Sequence, residues 1–168
     1  MTTSGASAPA SPPIRASEAL QKKLAKIGLH SEADLLVHLP LRYEDETRIT
    51  PINRSFGNEP VQVEVVVQSN EIQFRPRRQM NVRAADASGE ITLRFFSFYP
   101  SQQAALSEGS RLRVFGEVRG GFFGAEMVHP RFRKVGDDEP LPSELTPIYP
   151  STAGLANSAL QKLIGKAL

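Results

Sequence analysis

At 168 residues and 40% apolar content, the chain can bury one ordinary core and carry appendages, so it is not disordered as a whole. It has no run of about 18 apolar residues, which excludes a membrane-spanning helix. It also has no cysteine, which excludes disulfides, thiolate nucleophiles and cysteine metal sites and is compatible with a reducing cytoplasm. The net charge of +2 conceals a basic middle. Residues 1–74 carry seven Lys/Arg against nine Asp/Glu, residues 75–134 eleven against five, and residues 135–168 two against four. Ten of the eleven central cations are arginine, the side chain suited to bidentate phosphate contacts and to stacking. A polyanion partner on the middle segment and a merely solvated mixed-charge surface both fit this pattern.

In chain order, residues 1–16 read as a floppy tail rich in Ser, Ala, Thr and Pro, not as a signal peptide. Ser17 to Lys26 reads as a helix capped by Ser17, with Leu20, Leu24 and Ile27 at helical spacing and Gly28 ending it. Ser31 caps a second helix with Asp34 at the third position, Leu35, Leu36 and Leu39 facing inward, and Pro40 as its stop. The two form a helical hairpin that, with its connector, occupies residues 17–57. From Val61 the apolar period changes from 3.6 to 2, because Val61, Val63, Val65 and Val67 alternate with polar residues. Further strands are expected at Gln79–Asp86, Glu90–Phe98, Arg111–Arg119 and Phe122–His129, with a short helix from Pro100 to Ser107 after the third. Three strands, a helix and two strands is the order of an OB-fold, a five-stranded Greek-key barrel that often binds single strands. The expected fold class is therefore mainly β with flanking helices, the barrel occupying residues 58–134. Residues 135–155, with four prolines and four acidic residues between Val135 and Pro150, read as an extended linker. Residues 156–168 read as the start of a helix cut short by the chain end.

Candidate functional residues concentrate on the third strand. If Ile91, Leu93 and Phe95 point inward, alternation puts Thr92, Arg94, Phe96 and Phe98 on the other face, followed by Tyr99. Outward aromatics beside an arginine suit base stacking. The alternative is that helices cover Phe96 and Phe98. Arg75, Arg77 and Arg78 lie between the first two strands, where OB-folds grip nucleic acid. Arg94, Arg111, Arg113 and Arg119 alternate outward, with Phe115 between Arg113 and Glu117. Arg131, Phe132, Arg133 and Lys134 repeat the basic–aromatic interleaving, and together these residues favour nucleic-acid binding. The Gly-rich run from Gly116 to Gly124 lacks the P-loop pattern and reads as a hairpin. His30, His38 and His129 have no metal spacing, no catalytic constellation stands out, and Glu44, Asp45 and Glu46 read as an exposed charge run rather than a cation site.

Several strings, taken in order, resemble RecG helicases. Leu35-Leu36-Val37-His38-Leu39-Pro40-Leu41-Arg42-Tyr43-Glu44-Asp45 resembles the family's LLxxLPxRYED signature and is preceded by Leu24-Ala25-Lys26-Ile27-Gly28-Leu29. Leu93-Arg94-Phe95-Phe96-Ser97-Phe98 is similar to its wedge strand, and Gly116-Glu117-Val118 with Gly124-Ala125-Glu126-Met127-Val128-His129-Pro130 to the hairpin that follows. Leu145-Thr146-Pro147-Ile148-Tyr149-Pro150-Ser151-Thr152-Ala153-Gly154-Leu155 resembles its exit segment. The resemblance covers residues 20–168.

This resemblance implies the amino-terminal wedge of an ATP-dependent motor that regresses replication forks and migrates Holliday junctions in recombination and repair. In that family the wedge sits at the branch point, splits the strands and stacks aromatics on exposed base pairs. Phe96 matches the principal stacking aromatic, with Phe95 beside it; Phe98, Tyr99 or neither serves as the second, since Pro100 occupies one equivalent position. Arg119 falls near a basic position of the hairpin. Backbone contacts are expected from Arg75, Arg77, Arg78, Arg94, Arg113, Arg119, Arg131, Arg133 and Lys134. The implied partners are branched DNA and the motor domains of the same polypeptide, in a monomeric, cytoplasmic, nucleoid-associated bacterial protein with no membrane contact. No cofactor is expected in this chain. ATP and Mg²⁺ belong to motor domains that it lacks, which leaves it without enzymatic activity alone. The alternatives are a general single-stranded-DNA-binding OB module and a protein-interaction barrel.

Overall fold

The computed structural model of the protein describes residues 11–150 and 154–167. It divides into two compact units, one of residues 1–43 with 147–168 and the other of residues 44–146.

In the first unit, α1 (Glu18–Ala25) starts after Ser17, and Gly28 (φ +79°) supplies the left-handed turn that ends it. α2 (Glu32–Val37) carries the expected capping box. Ser31 Oγ accepts from the Asp34 N–H (3.3 Å) while Asp34 Oδ2 accepts from the Ser31 N–H (2.8 Å). Only Leu35 of the three expected leucines is buried; Leu36 and Leu39 are exposed, because a helix of six residues presents little more than one inward position. The last helix, α4 (Asn157–Ala167), contributes Leu160 and Ile164 to the same core as Leu24, Leu29 and Leu35. Asn157 ties its start to the preceding segment by accepting from the Tyr149 N–H at 2.8 Å. Ile14, inside the stretch read as a tail, is also buried there, with the Pro12 carbonyl accepting from the Glu32 N–H. Residues 1–10 of that stretch lie outside the described residues. Two short strands unpredicted from the sequence, β1 (Arg42–Glu44) and β9 (Thr146–Ile148), pair with each other.

The second unit is built on β2 (Val61–Gln73), longer than the valine alternation suggests. Its first half pairs antiparallel with β5 (Arg111–Gly116) and its second half with β3 (Gln79–Ala85), the register shifting between Val67 and Ser69. That bulge reverses the phase of the strand. Val63, Val65 and Val67 point into the core before it, and Ile72 packs on the core after it, leaving Ser69, Glu71 and Gln73 on the outer face. β4 (Glu90–Phe95) continues the sheet, α3 (Pro100–Ala105) follows, and β7 (Gly124–Val128) pairs parallel with β4. β6 (Arg119–Gly121) forms a hairpin with β7, as the glycine-rich run predicts, and β8 (Arg131–Lys134) pairs with β5.

The order β6-β7-β4-β3-β2-β5-β8 is OB-like and mainly β, with four α-helices among the described residues. The correction concerns closure. In place of a closed five-stranded barrel there is a seven-stranded sheet whose ladder has two ends. β7 and β8 are separated only by His129-Pro130, so one bent segment pairs with β4 in one half of the sheet and with β5 in the other. Proline donates no ladder hydrogen bond, and His129 takes a positive φ of 48°, so the bend falls there.

The Asp86–Gly89 turn between β3 and β4 is held by one carboxylate. Asp86 Oδ1 accepts from the Ser88 hydroxyl and from the N–H groups of Ser88 and Gly89, while Oδ2 accepts from the Ile52 N–H at 2.9 Å. Burial pushes this carboxyl up, but the four hydrogen bonds outweigh it and hold it below the ordinary aspartate range. The stability it supplies is therefore present above the unfolded-state value and lost as pH falls through the folded one. Asp86→Ala is expected to lower unfolding free energy by about 1–3 kcal/mol at neutral pH. Urea denaturation should show that deficit shrinking at acid pH, where the wild-type carboxyl is itself protonated.

Candidate nucleic-acid interface

The inward set of β4 follows the alternation, with Ile91, Leu93 and Phe95 all buried and Phe95 only 2% exposed. The strand ends at Phe95, and the chain bends at Phe96 and Ser97. Phe96 keeps its outward position and is 47% exposed, whereas the bend turns Phe98 into the core, where it is 7% exposed. Strand alternation beyond Phe95 therefore mispredicts Phe98, and of the four aromatics proposed for stacking only Phe96 and Tyr99 are presented to solvent.

His129 fixes the exposed ring. Its Nε2 accepts the Phe96 N–H at 3.1 Å, and its ring lies 5.7 Å from that of Phe96 and 5.9 Å from that of Phe95. A histidine for which the sequence shows no metal spacing thus holds the backbone of the leading candidate. The signal that could have found it is its place next to Pro130, at the bend of β7 into β8.

The arginines separate into two groups. Arg75, Arg77 and Arg78 occupy the β2–β3 loop as expected, are exposed, and have no carboxylate partner among the described residues. The Arg78 guanidinium lies 4.2 Å from the centre of the Phe98 ring, which joins this loop to the segment following β4. Free cations and an exposed aromatic thereby share one end of the sheet. Lys134 is also exposed.

The other expected phosphate contacts are committed within the protein. Arg113 is buried; its Nε donates to Glu64 (2.9 Å), its cross-strand partner, and its terminal nitrogens donate to the carbonyls of Glu139 and Pro140. The linker segment lies over this part of β5, so the outward face inferred from alternation is a covered one, and Phe115 is buried there too. Arg94 pairs with Glu126 (3.0 Å), Arg119 with Glu117 (2.9 Å) and Arg133 with Glu139. The Arg119 guanidinium holds the Glu117 carboxyl below its usual range. Arg131 pairs with Glu44 and Glu46 and lies 5.0 Å from the Phe115 ring centre. Glu44 is accordingly buried rather than part of an exposed acidic run.

One aromatic feature escaped the sequence reading. The two-residue turn of the β6–β7 hairpin is Phe122-Phe123, 92% and 81% exposed, with ring centres 5.0 Å apart. Gly124, at φ +105°, allows the turn. Two adjacent phenylalanines inside a glycine-rich run were the available sign.

The RecG wedge domain family profile matches residues 15–168. The chain belongs to that family. It is 44% identical over 152 residues to ATP-dependent DNA helicase RecG of Pasteurella multocida, and equally so to that of Escherichia coli K12. In both cases the match covers 89% of this chain and 22% of the relative, so the chain spans less than a quarter of the length of these helicases. A solved structure of RecG bound to a three-way DNA junction aligns over 98% of this chain and 24% of its own, with TM-score 0.74 and 23% identity. At that identity the likeness establishes the fold of the RecG wedge for this chain.

The two arginine groups should respond differently to mutation. Arg113→Ala removes the donors from two carbonyls and leaves Glu64 with its longer contact to Arg111 (3.6 Å), and is expected to cost about 3 kcal/mol in urea denaturation. Arg75→Gln should stay within about 0.5 kcal/mol of wild type in the same measurement.

Proposed function

We propose that this chain is the branched-DNA-binding, strand-separating wedge of a RecG-type ATP-dependent DNA helicase that acts on replication forks and Holliday junctions in recombination and repair. The carrying observation is Phe96, a half-exposed aromatic whose backbone is pinned by His129 beside an arginine loop with no carboxylate partner among the described residues. Family membership and the junction-bound RecG structure support the same reading.

The wedge acts mechanically. Arg75 and Arg77 hold phosphates without reading sequence, since phosphate contacts carry no base information. Phe96 stacks on the last base pair at the branch and offsets part of the stacking lost there, with Tyr99 as the second aromatic. Motor domains of the same polypeptide pull duplex against this fixed ring. ATP and Mg²⁺ act there, so the chain alone is a binding module. We place the protein in the bacterial cytoplasm, on the nucleoid, as a monomer.

The test is low-salt binding of the 168-residue chain to a three-way fork, a matched single strand and a matched duplex. Fork preference is expected, and Phe96→Ala should weaken it by about 1–3 kcal/mol, roughly 5- to 150-fold, with the fold intact by circular dichroism. Unchanged fork binding by this variant would sink the stacking role, and equal binding to single strand and fork would make the chain a general strand binder. The Arg75→Gln/Arg77→Gln pair should reduce the slope of log affinity against log salt by about 2. A slope that does not move would mean that these arginines only solubilise the loop.

A further inference from the structure

Three arginines of β5 and β8 share a face of the sheet that includes neither Phe96 nor the β2–β3 loop. Arg113 and Arg133 are direct cross-strand partners, and Arg111 lies two residues before Arg113 on β5. Like charges set opposite each other on adjacent strands, with Cβ atoms about 5 Å apart, repel, so the pair calls for an anion between them. Guanidinium forks converging on one oxyanion are how proteins grip phosphate. Glu64 answers part of the charge, at 2.9 Å from Arg113 and 3.6 Å from Arg111. An excess of two positive charges is left on this face.

The segment after β8 covers it. The Val135 N–H donates to the Arg111 carbonyl, and a turn at Asp137 and Asp138, the latter at φ +62°, brings two carboxylates back onto the strands. Asp137 pairs with Arg111 at 3.3 Å, while Glu139 pairs with Arg133 through its carboxylate and accepts from Arg113 through its carbonyl. Asp137 and Glu139 thus cancel the excess, and Glu139 bridges the two opposed forks as a phosphate would. The cover is light. Asp137 is 88% exposed, and the side chains of Arg111 and Arg133 are 42% and 43% exposed. Ion pairs this open to water hold weakly and are screened by salt, so a denser polyanion can displace them.

We infer that Arg111, Arg113 and Arg133 form a second phosphate-binding site, for the backbone of a duplex arm at the branch, and that residues 137–139 are an acidic strap occupying it until DNA displaces them. The inference deepens the branched-DNA reading and rests on it. The site adjoins the proposed branch point through the core, since Phe132, next to Arg133, packs edge-on to Phe95 at 5.8 Å, and Phe95 precedes Phe96. The strap is a selectivity device. Plain duplex must expel it with no other hold on the chain, whereas a fork already held at Phe96 and the loop arginines presents its arm at high local concentration.

The Asp137→Asn/Glu139→Gln variant of the full chain is compared with wild type in titrations with the three-way fork and with unbranched duplex over a range of salt. The slope of log duplex affinity against log salt should steepen by about 2, one for each arginine freed. Duplex affinity at low salt should rise roughly 3- to 30-fold, narrowing the preference for the fork. Glu18→Gln/Glu59→Gln removes the same charge at exposed positions outside this face and should leave the slope unchanged. Adding Arg111→Gln/Arg133→Gln to the strap variant should abolish the gain. If the strap variant loses its native circular dichroism, Asp137→Asn alone should still steepen the slope by about 1. An unmoved slope, an equal gain in the Glu18/Glu59 control, or a gain that survives loss of the arginines, while wild-type fork binding still depends on Phe96, would overturn the strap and leave the wedge assignment standing. A steepened slope together with a fork affinity indifferent to Phe96→Ala would support the strapped site and remove the stacking role of Phe96. Absence of binding to any DNA by wild type and variant would overturn both.

Discussion

The second unit depends on one strand belonging to two ladders. β2 pairs with β5 along its first half and with β3 along its second, and the bulge between Val67 and Ser69 lets it serve both. A strand of uniform phase would send Ser69, Glu71 and Gln73 into the core and Ile72 into water. The bulge instead keeps Ile72 on the apolar cluster and gives the outer face its polar row. The bend at His129-Pro130 does complementary work, letting one segment pair with β4 in one half of the sheet and β5 in the other without a closing ladder.

The same bend determines where an aromatic ring is exposed. His129 stands at the turn with positive φ, and from there its imidazole accepts the Phe96 N–H and touches two phenylalanine rings. Phe95 and Phe98, on either side, are anchored in the core. An exposed ring between two buried ones on a pinned backbone would lose little freedom on stacking, as the role proposed for Phe96 requires.

Ion pairing divides the basic residues more sharply than sequence position does. Arginines on β4, β5, β6 and β8 are matched to glutamates, so the excess positive charge of the middle segment is left mainly on the β2–β3 loop. A field confined to one end of the sheet orients a polyanion, whereas arginines spread evenly around it would not.

Much of the architecture was determined by the sequence alone. The valine alternation from Val61, the Ser31–Asp34 capping box, Gly28, and the order of strands and helix follow from local stereochemistry and apolar period, so they can be read without coordinates. The linked motifs carried the family in the same way. What the tertiary structure alone decided are features that join residues distant in the chain. The bulge in β2, the burial of Phe98, the enclosure of Arg113 by residues 139 and 140, the pairing of Glu44 with Arg131 and the support of Phe96 by His129 are of this kind. Alternation predicts which way a side chain points only while the strand stays regular and only relative to its own sheet. It contains nothing about what a later segment lays over that face, and it was there that Arg113, expected on β5 as a DNA contact, became an internal ion pair.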